Sequence, residues 1–313
     1  MATEEPEPQD TSGQPEIFGG NSFAERAFLG RDGRVRPTIR AISFFIVAYL
    51  LSTVAAGLAA PYTAGLPSSL QLAIISSVSL GVMLTVTWFF LRSVDHSRWH
   101  TLGLSVGRGW LARASEGVGI GFALQAAIAL LLIISHAQHY DARSAWNIRV
   151  WFTVLIDVWL FSAAATAEEL LFRGYALQRL IDAFGAPFAA ILSSTVFGLA
   201  HIWNPSANLF STLNTILAGI LMSVAYLKTR TMWLPCGLHA AWNFFMGPIF
   251  CFPVSGIDFE PRMFVTRISG PAWWTGGSYG PEAGAAGTLV LVAGTAWLLV
   301  GLRSPLPTES GQA

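Results

Sequence analysis

The sequence predicts an all-α polytopic membrane protein, built as a bundle of about eight transmembrane helices. Three observations predict this class. Charged residues make up only 12% of the 313 residues, about half of their share in soluble domains. Hydrophobic residues make up 53%. Apolar runs of about 18–22 residues, the length that crosses a bilayer as a helix, recur along the chain.

These apolar runs define a transmembrane helical domain at 39–303, between a polar tail at 1–38 and a short tail at 304–313. The first tail is rich in Glu, Pro, Gln and Ser, which predicts a disordered cytoplasmic segment. Gly117 and Gly121 have the spacing that lets two membrane helices approach closely. The predicted spans are 39–60, 70–91, 117–135, 150–167, 186–203, 209–227, 232–252 and 287–302.

The basic residues predict the orientation of these spans, because Lys and Arg concentrate in cytoplasmic loops. If the N-terminus is cytoplasmic, 14 of the 18 basic residues lie in cytoplasmic segments and 4 lie outside. Both termini are therefore expected in the cytoplasm, and the expected location is the bacterial cytoplasmic membrane. The net charge of zero does not favour nucleic acid as a partner, so the lipid bilayer is the expected surrounding.

Two long connections between the predicted spans carry apolar side chains. The cytoplasmic connection at 92–115 mixes Trp and Leu with arginines, which is typical of a segment that lies in the membrane interface. The outside connection at 253–286 contains a Trp-Trp pair and several Gly and Pro. Its aromatic residues suit an interfacial anchor, and its length suits a lid over a site; the sequence leaves both open.

The most informative residues are two adjacent glutamates, Glu168 and Glu169, which follow the apolar run at 150–167. An ionised side chain at membrane depth costs at least a few kcal/mol, so it usually has a partner or a function. Arg173 lies four positions after Glu169 and can pair with it on a helix. Adjacent helical residues diverge by about 100°, so Glu168 points elsewhere. Taken alone, the cluster could also be the amphipathic cytoplasmic end of a helix.

Two histidines are expected at the same depth as these glutamates. A turn is predicted at Gly185, with Glu169 16 residues before it and His201 16 residues after it. In an antiparallel hairpin, equal counts place both residues about 24 Å from the turn. His239 enters from the same side of the membrane and shares one helix face with Asn243. We therefore expect one polar pocket, which opens toward the cytoplasm.

The joint pattern resembles the CPBP (Abi) family of intramembrane proteases. That family includes the CAAX prenyl endopeptidases and bacterial proteins tied to bacteriocin processing and immunity. The resemblance covers about a third of the chain, a motif-bearing core at 150–250. It implies cleavage of a peptide bond near the C-terminus of a membrane-associated protein or peptide. The matching motifs are Glu168-Glu169-x-x-x-Arg173, Phe197-x-x-x-His201 and His239-x-x-x-Asn243.

These residues suit peptide hydrolysis by an activated water molecule. A glutamate in an apolar pocket is a suitable general base, and this role is expected for Glu168, with His201 holding the water. His239 and Asn243 offer donors on one face for the oxyanion. The pair of Glu169 and Arg173 would keep Glu168 oriented, and Phe197 would pack beside His201.

Two alternatives remain open from the sequence. Glu168, His201 and His239 could bind zinc and leave a fourth position for water; the metal-free scheme, which requires no cofactor, is the preferred interpretation. The chain could also be a non-enzymatic transporter or scaffold, in which the buried Glu and His side chains couple protons or hold helices together.

Overall fold

The computed structural model describes residues 28–30, 33–141, 148–259 and 264–302. The predicted tail at 1–38 lies mostly outside these residues, and the predicted tail at 304–313 lies wholly outside them.

The described chain folds as a bundle of helices, and each of the eight predicted spans coincides with a helix. The all-α membrane class is therefore confirmed. A small two-stranded antiparallel sheet pairs Gln138 with Ile268 and Asp141 with Val265. The helices are α1 Pro37–Thr63, α2 Ser68–Phe89, α3 Trp110–Ile134, α4 Ile148–Glu169, α5 Tyr175–Phe184, α6 Ala186–Ala200, α7 Leu209–Thr229, α8 Trp233–Phe244, α9 Ala272–Thr275 and α10 Ala285–Gly301; the strands are β1 Gln138–Asp141 and β2 Val265–Ile268.

Within the described residues, five helical segments are long and apolar enough to cross a membrane. Two further apolar helices, α6 and α10, are shorter. The number of spans therefore stays a prediction, as do the positions of the two termini. The five segments are Pro37–Thr63, Ser68–Val94, Trp110–Ile134, Val150–Phe184 and Leu209–Thr229.

The helix with the glutamates continues beyond the predicted span at 150–167 to the turn predicted at Gly185. A π-helical turn at Leu170–Gly174 joins α4 to α5, so that 35 residues form one rod. Such a rod is about 52 Å long, well beyond the bilayer's hydrocarbon thickness of about 30 Å. The rod ends only at Gly185, whose positive φ of 80° stops the helix. Glu168 and Glu169 therefore lie inside a continuous helix and not at its end.

Helix α6 is shorter than its predicted span at 186–203. It ends at Ala200, and His201 is the first residue beyond it. The Nδ1 atom of His201 lies 2.7 Å from the carbonyl oxygen of Phe197, which satisfies one of the carbonyls left without a partner at a helix end. Pro205 follows closely, and proline does not continue a helix. His201 is therefore the C-cap residue of α6.

Glycines bring α3 and α8 into close contact, as the Gly-x-x-x-Gly spacing predicted. A Cβ atom on Gly117 would lie 2.2 Å from the carbonyl oxygen of Leu234, and one on Gly121 would lie 2.6 Å from that of Leu238. Gly237 faces Ala114 in the same way. Side chains at these positions would push the helices apart, so the glycines set the position of α8 in the bundle.

One end of the bundle, which we call the arginine end, holds the start of α1, the end of α5 and the start of α8. Asp95 pairs with Arg40 and, at 3.1 Å, with Arg179, so it joins the connection after α2 to α1 and α5. The backbone NH of Met232 donates to the carbonyl oxygen of Gly103 at 3.1 Å, which joins the same connection to α8. These contacts bring the ends of four elements together.

The connection predicted to lie in the interface, 92–115, packs against the protein at this end. Leu102 is buried in a short 3₁₀ turn at Trp99–Leu102. The connection also ends earlier than predicted, because α3 begins at Trp110. Leu111 is exposed on the first turn of that helix.

The opposite end, which we call the loop end, holds the connection predicted as an outside loop, together with the two strands. The backbone NH of Gly256 donates to the carbonyl oxygen of Tyr279 at 2.9 Å, which folds the connection back on itself. Trp274 donates to Ser135 at 2.8 Å, while Trp273 is exposed. The described part of the loop end therefore packs over that side of the bundle.

Candidate active site

A fully buried ion pair lies at the centre of the bundle. Arg173 Nη1 donates to Glu169 Oε1 at 3.1 Å, and both side chains have no exposed surface. This is the i, i+4 pairing that the sequence predicted. The same carboxylate oxygen lies 2.8 Å from Nδ1 of His239 on α8. Glu169 therefore links its own helix to the helix that carries His239, a contact that the sequence did not indicate.

A glycine on α7 completes the surroundings of Arg173. Arg173 Nη2 donates to the carbonyl oxygen of Gly219 at 3.0 Å. A Cβ atom on Gly219 would lie 3.1 Å from that same nitrogen and 2.9 Å from Cβ of Ser194. Gly219 therefore leaves the space that the guanidinium occupies. The sequence pattern did not predict this role, because a single glycine inside a helix has no partner visible in the sequence.

The neighbouring Glu168 has the opposite environment. Its side chain is 38% exposed, against none for Glu169. Its Oε2 atom lies 3.8 Å from Nε2 of His239 and 4.0 Å from Nε2 of His201. Both distances are too long for direct hydrogen bonds, and at such spacings a bridging water is the usual link. The π turn begins two residues later, and such turns occur often at functional sites.

The hydrogen bonds of the two imidazoles define which nitrogen faces Glu168. A carbonyl oxygen only accepts, so Nδ1 of His201, 2.7 Å from the carbonyl oxygen of Phe197, carries a proton. Nδ1 of His239 donates in the same way to the Glu169 carboxylate. In the neutral rings, both Nε2 atoms therefore present lone pairs toward Glu168 Oε2.

The remaining motif residues surround this group. The Phe197 ring lies 4.6 Å from the His201 ring and 6.0 Å from the His239 ring, measured between centroids. Its face also lies 4.5 Å from the Arg173 guanidinium carbon, a cation–π contact. Asn243, one turn along α8 from His239, lines the cavity described next. The structure thus brings all seven predicted residues to one place.

A cavity of about 380 Å³ begins at Glu168. Its wall contains His201, His239 and Asn243, together with apolar side chains of α4, α6, α7 and α8. It then continues into the loop end, where Asn204 and part of the 253–259 segment line it. The site is therefore a cavity with many apolar side chains and a few polar groups in its wall, the usual character of a small-ligand or peptide site.

Glu282 of the loop end is a second carboxylate in the cavity wall, and the sequence analysis missed it. Its Oε1 accepts from Nε1 of Trp242 at 3.0 Å, and its Oε2 accepts from the backbone NH and the hydroxyl of Ser255 at 2.9 and 2.8 Å. Burial, with a smaller effect of the Glu282 charge, raises the pKa of Tyr279 nearby. Glu282 therefore ties the connection over the cavity to α8.

The zinc alternative requires Glu168, His201 and His239 to converge on one ion. Their atom types suit zinc, and each histidine has the Nδ1 partner that metal-bound histidines usually have. Tetrahedral zinc bonds of about 2.0–2.1 Å place ligand atoms about 3.3 Å apart, against the 3.8 and 4.0 Å from Glu168 Oε2 to the two Nε2 atoms. Within the described residues, no group of three or more His, Cys, Asp or Glu side chains is arranged to hold a metal. The residues as placed do not fit a zinc site.

Comparison with known proteins agrees with the motifs. Residues 149–245 match the family described as type II CAAX prenyl endopeptidase Rce1-like. This segment is similar to that family. The match contains all three motifs and confirms the resemblance to the CPBP family.

The chain is also similar to the uncharacterized protein YyaK of Bacillus subtilis (strain 168). The two are 26% identical over 172 residues, which is 51% of this chain and 55% of YyaK. The chain therefore spans about half the length of this curated relative. No solved structure matches the chain.

Proposed function

We propose that this chain is an intramembrane endopeptidase that hydrolyses a peptide bond in a membrane-associated protein or peptide. One observation carries the proposal: Glu168 Oε2 lies between the Nε2 atoms of His201 and His239, at 4.0 and 3.8 Å, beside a cavity within the bundle. The Rce1-like match over 149–245 supports a protease of the CAAX type.

In this proposal, Glu168 activates a water molecule. The carboxylate takes one proton of the water as its oxygen attacks the carbonyl carbon of the scissile bond. His201 accepts the other hydrogen of the water through the Nε2 lone pair, which orients the attack. When the C–N bond breaks, Glu168 returns the proton to the leaving amine, so that one water and one peptide bond yield a carboxylic acid and an amine; the acid then passes its proton to the amine, which gives a carboxylate and an ammonium.

The oxyanion that forms in this reaction needs hydrogen-bond donors. The side-chain amide of Asn243 supplies one. His239 supplies a second donor, Nε2–H, when its ring carries both protons, because Nδ1–H already donates to Glu169. The charges favour that form: two carboxylates and the single guanidinium of Arg173 leave one negative charge, which a proton on His239 balances.

Glu169 and Arg173 are positioning residues in this proposal, since neither reaches the cavity. Glu169 orients the His239 ring through Nδ1, and Arg173 holds Glu169 while it bonds to the α7 backbone. The pair therefore controls where Nε2 of His239 points. Reacting groups need supporting contacts of this kind to stay in their productive geometry.

The proposal is tested by comparing the C-terminal ends of membrane proteins in cells that express the native chain or its Glu168→Gln variant. Cleavage products are expected with the native chain and not with the variant. Glu116→Gln, a change of a partly exposed glutamate on α3, serves as the control and is expected to leave the products intact. If the products persist in Glu168→Gln, the site is not catalytic, and the transporter or scaffold alternative gains support.

The cofactor is tested separately. The proposed scheme requires none, so purified protein is expected to keep its activity after thorough chelation and to contain less than one equivalent of zinc. Activity that disappears with the chelator and returns with one equivalent of zinc would show that Glu168, His201 and His239 rearrange to bind metal.

A further inference from the structure

A second cavity, of about 360 Å³, lies between α1, α2 and α4 and adjoins the active-site cavity. Glu168 lines both cavities, and so do Tyr49, Ala164 and Leu171. The carboxylate that acts as the base in the proposed reaction therefore lies where two cavities meet.

Hydroxyl groups distinguish the second cavity, which we call the hydroxyl cavity. They belong to Ser52 and Thr53 on α1 and to Ser76 and Ser79 on α2. All four residues lie inside helical segments that are apolar enough to cross a membrane, and none of them lines the active-site cavity. Hydroxyls in such a setting need hydrogen-bond partners, because hydrocarbon provides none.

The Ser52 hydroxyl lacks the partner that a serine or threonine inside a helix commonly finds. Thr53 Oγ1 donates to the carbonyl oxygen of Tyr49 on its own helix at 2.9 Å. Ser77 Oγ donates in the same way to the carbonyl oxygen of Ala73 at 2.7 Å. Ser52 is only 9% exposed, and its Oγ has no hydrogen-bond partner among the described residues. A buried polar atom of this kind points to a bound molecule that satisfies it.

The chemistry of the lining favours water as that molecule. An acyl chain of the bilayer has no polar atom that could bond to Ser52. A buried water needs two to four polar partners and occupies about 30 Å³ in the liquid, so a hydroxyl-lined cavity of about 360 Å³ has room for several. Glu168 Oε2 is a further buried atom without a hydrogen-bond partner among the described residues.

We infer that the hydroxyl cavity binds water through Ser52 and the hydroxyls beside it, and that this water replaces the molecule that is consumed at Glu168. The binding of water follows from the cavity alone. The supply of water rests on the proposed protease function, in which each cleaved peptide bond consumes one water. Ser52 is a positioning residue in this inference, because it acts on the water and not on the substrate.

The bound water is tested by X-ray hydroxyl-radical labelling of the full chain in lipid nanodiscs. A short X-ray pulse converts water into hydroxyl radicals, which oxidise the side chains next to them, and mass spectrometry locates the oxidised residues. Met83 is 4% exposed and lines the hydroxyl cavity, whereas Met232 is fully buried in a packed cluster. Met83 is expected to be oxidised severalfold faster than Met232. Equally slow oxidation of both would overturn the inference.

A substitution at Ser52 tests whether its hydroxyl holds the water. Ser52→Val replaces the hydroxyl with two methyl groups and is expected to lower the oxidation of Met83 severalfold. Ser52→Ala removes the hydroxyl without added bulk and is expected to lower it by a smaller factor. Ser162→Val is the matched control, since the Ser162 hydroxyl donates to the carbonyl oxygen of Val158 on its own helix at 2.6 Å. Oxidation of Met83 that is unchanged in both Ser52 variants would overturn the role of Ser52.

Cleavage kinetics test the supply of water separately. Ser52→Val is expected to lower kcat severalfold and to leave KM unchanged, while Ser162→Val changes neither. A rise in KM with an unchanged kcat would overturn the supply role. Oxidation of Met83 is expected to persist in Glu168→Gln, so the binding of water is measured without any cleavage. Failure of the protease function and failure of this inference are therefore distinguishable.

Discussion

Two adjacent glutamates, Glu168 and Glu169, lie in opposite environments in the two halves of the bundle. Glu169 faces the packed half and is fully buried; its Oε1 accepts from Arg173 Nη1 at 3.1 Å and from His239 Nδ1 at 2.8 Å, while its Oε2 has no hydrogen-bond partner among the described residues. Glu168 faces the cavity, where its Oε2 has no hydrogen-bond partner among the described residues. Consecutive helical residues point about 100° apart, so neighbours in sequence can belong to different environments. The comparison separates a carboxylate that holds the structure from one that is available for chemistry.

The largest expected effect is a loss of cleavage rate when Glu168, on the cavity side, is substituted. Glu168→Gln removes the proposed base and keeps the volume of the side chain, so the cleavage rate should fall by roughly 10²–10⁴-fold. The thermal unfolding midpoint in detergent should change little, because no ion pair within the packed half is lost. A normal rate in this variant would remove the distinction between the two glutamates.

A substitution in the packed half should lower the free energy of unfolding. Arg173→Met leaves the buried Glu169 carboxylate without its partner, and breaking such a pair costs about 3–5 kcal/mol. The measurement is the free energy of unfolding in detergent or bicelles. Arg113→Met, a change in a solvent-exposed pair with Glu116, is the matched control and should cost about 1 kcal/mol or less. Equal losses in both variants would contradict the proposed role of the buried pair.

A change in the cavity wall sharpens the comparison further. Asn243→Ala removes one proposed oxyanion donor, and such a loss typically lowers kcat by about 10²–10³-fold. Because the donor acts on the transition state, KM should change little. A rise in KM with an unchanged kcat would assign Asn243 to substrate binding instead.

The smallest expected effect is a loss of stability when the close contact between α3 and α8 is disturbed. Gly121→Ala places a Cβ atom 2.6 Å from the carbonyl oxygen of Leu238, and overpacking of this kind costs about 1–3 kcal/mol. Gly119→Ala, two residues away on the same helix, has open space at that position and is the matched control. It should be neutral or slightly stabilising, since alanine favours helix over glycine. Similar losses for both would show that α3 and α8 tolerate a wider spacing.

Much of the site follows from local spacing. Asn243 follows His239 on one helix wall because an α-helix repeats every 3.6 residues. The i, i+4 pair of Glu169 and Arg173 also forms as predicted, although Arg173 lies in the π turn at Leu170–Gly174. The common height of Glu169 and His201 follows from counting residues on either side of Gly185. The protease roles of these residues stay predictions until cleavage is measured.

Other features required contacts between distant parts of the chain. The partner of His239 is Glu169, 70 positions earlier. Glu282 reaches Trp242 from the loop end, 40 positions later. Neither spacing leaves a periodic signal, so the sequence analysis could not assign these pairs.

The amino-acid sequence by itself determined the membrane class, the approximate position of each helix, the motif residues and the end of the bundle that carries the arginines. It could do so because hydrophobicity, helical periodicity and charge are local properties. Only the tertiary structure decided which glutamate is buried and which side chains from distant segments line the cavity. Those outcomes depend on where α6 stops and on how the described parts of the loop-end connection, 253–259 and 264–284, pack on the bundle. Both are set by contacts between segments that are far apart in the chain.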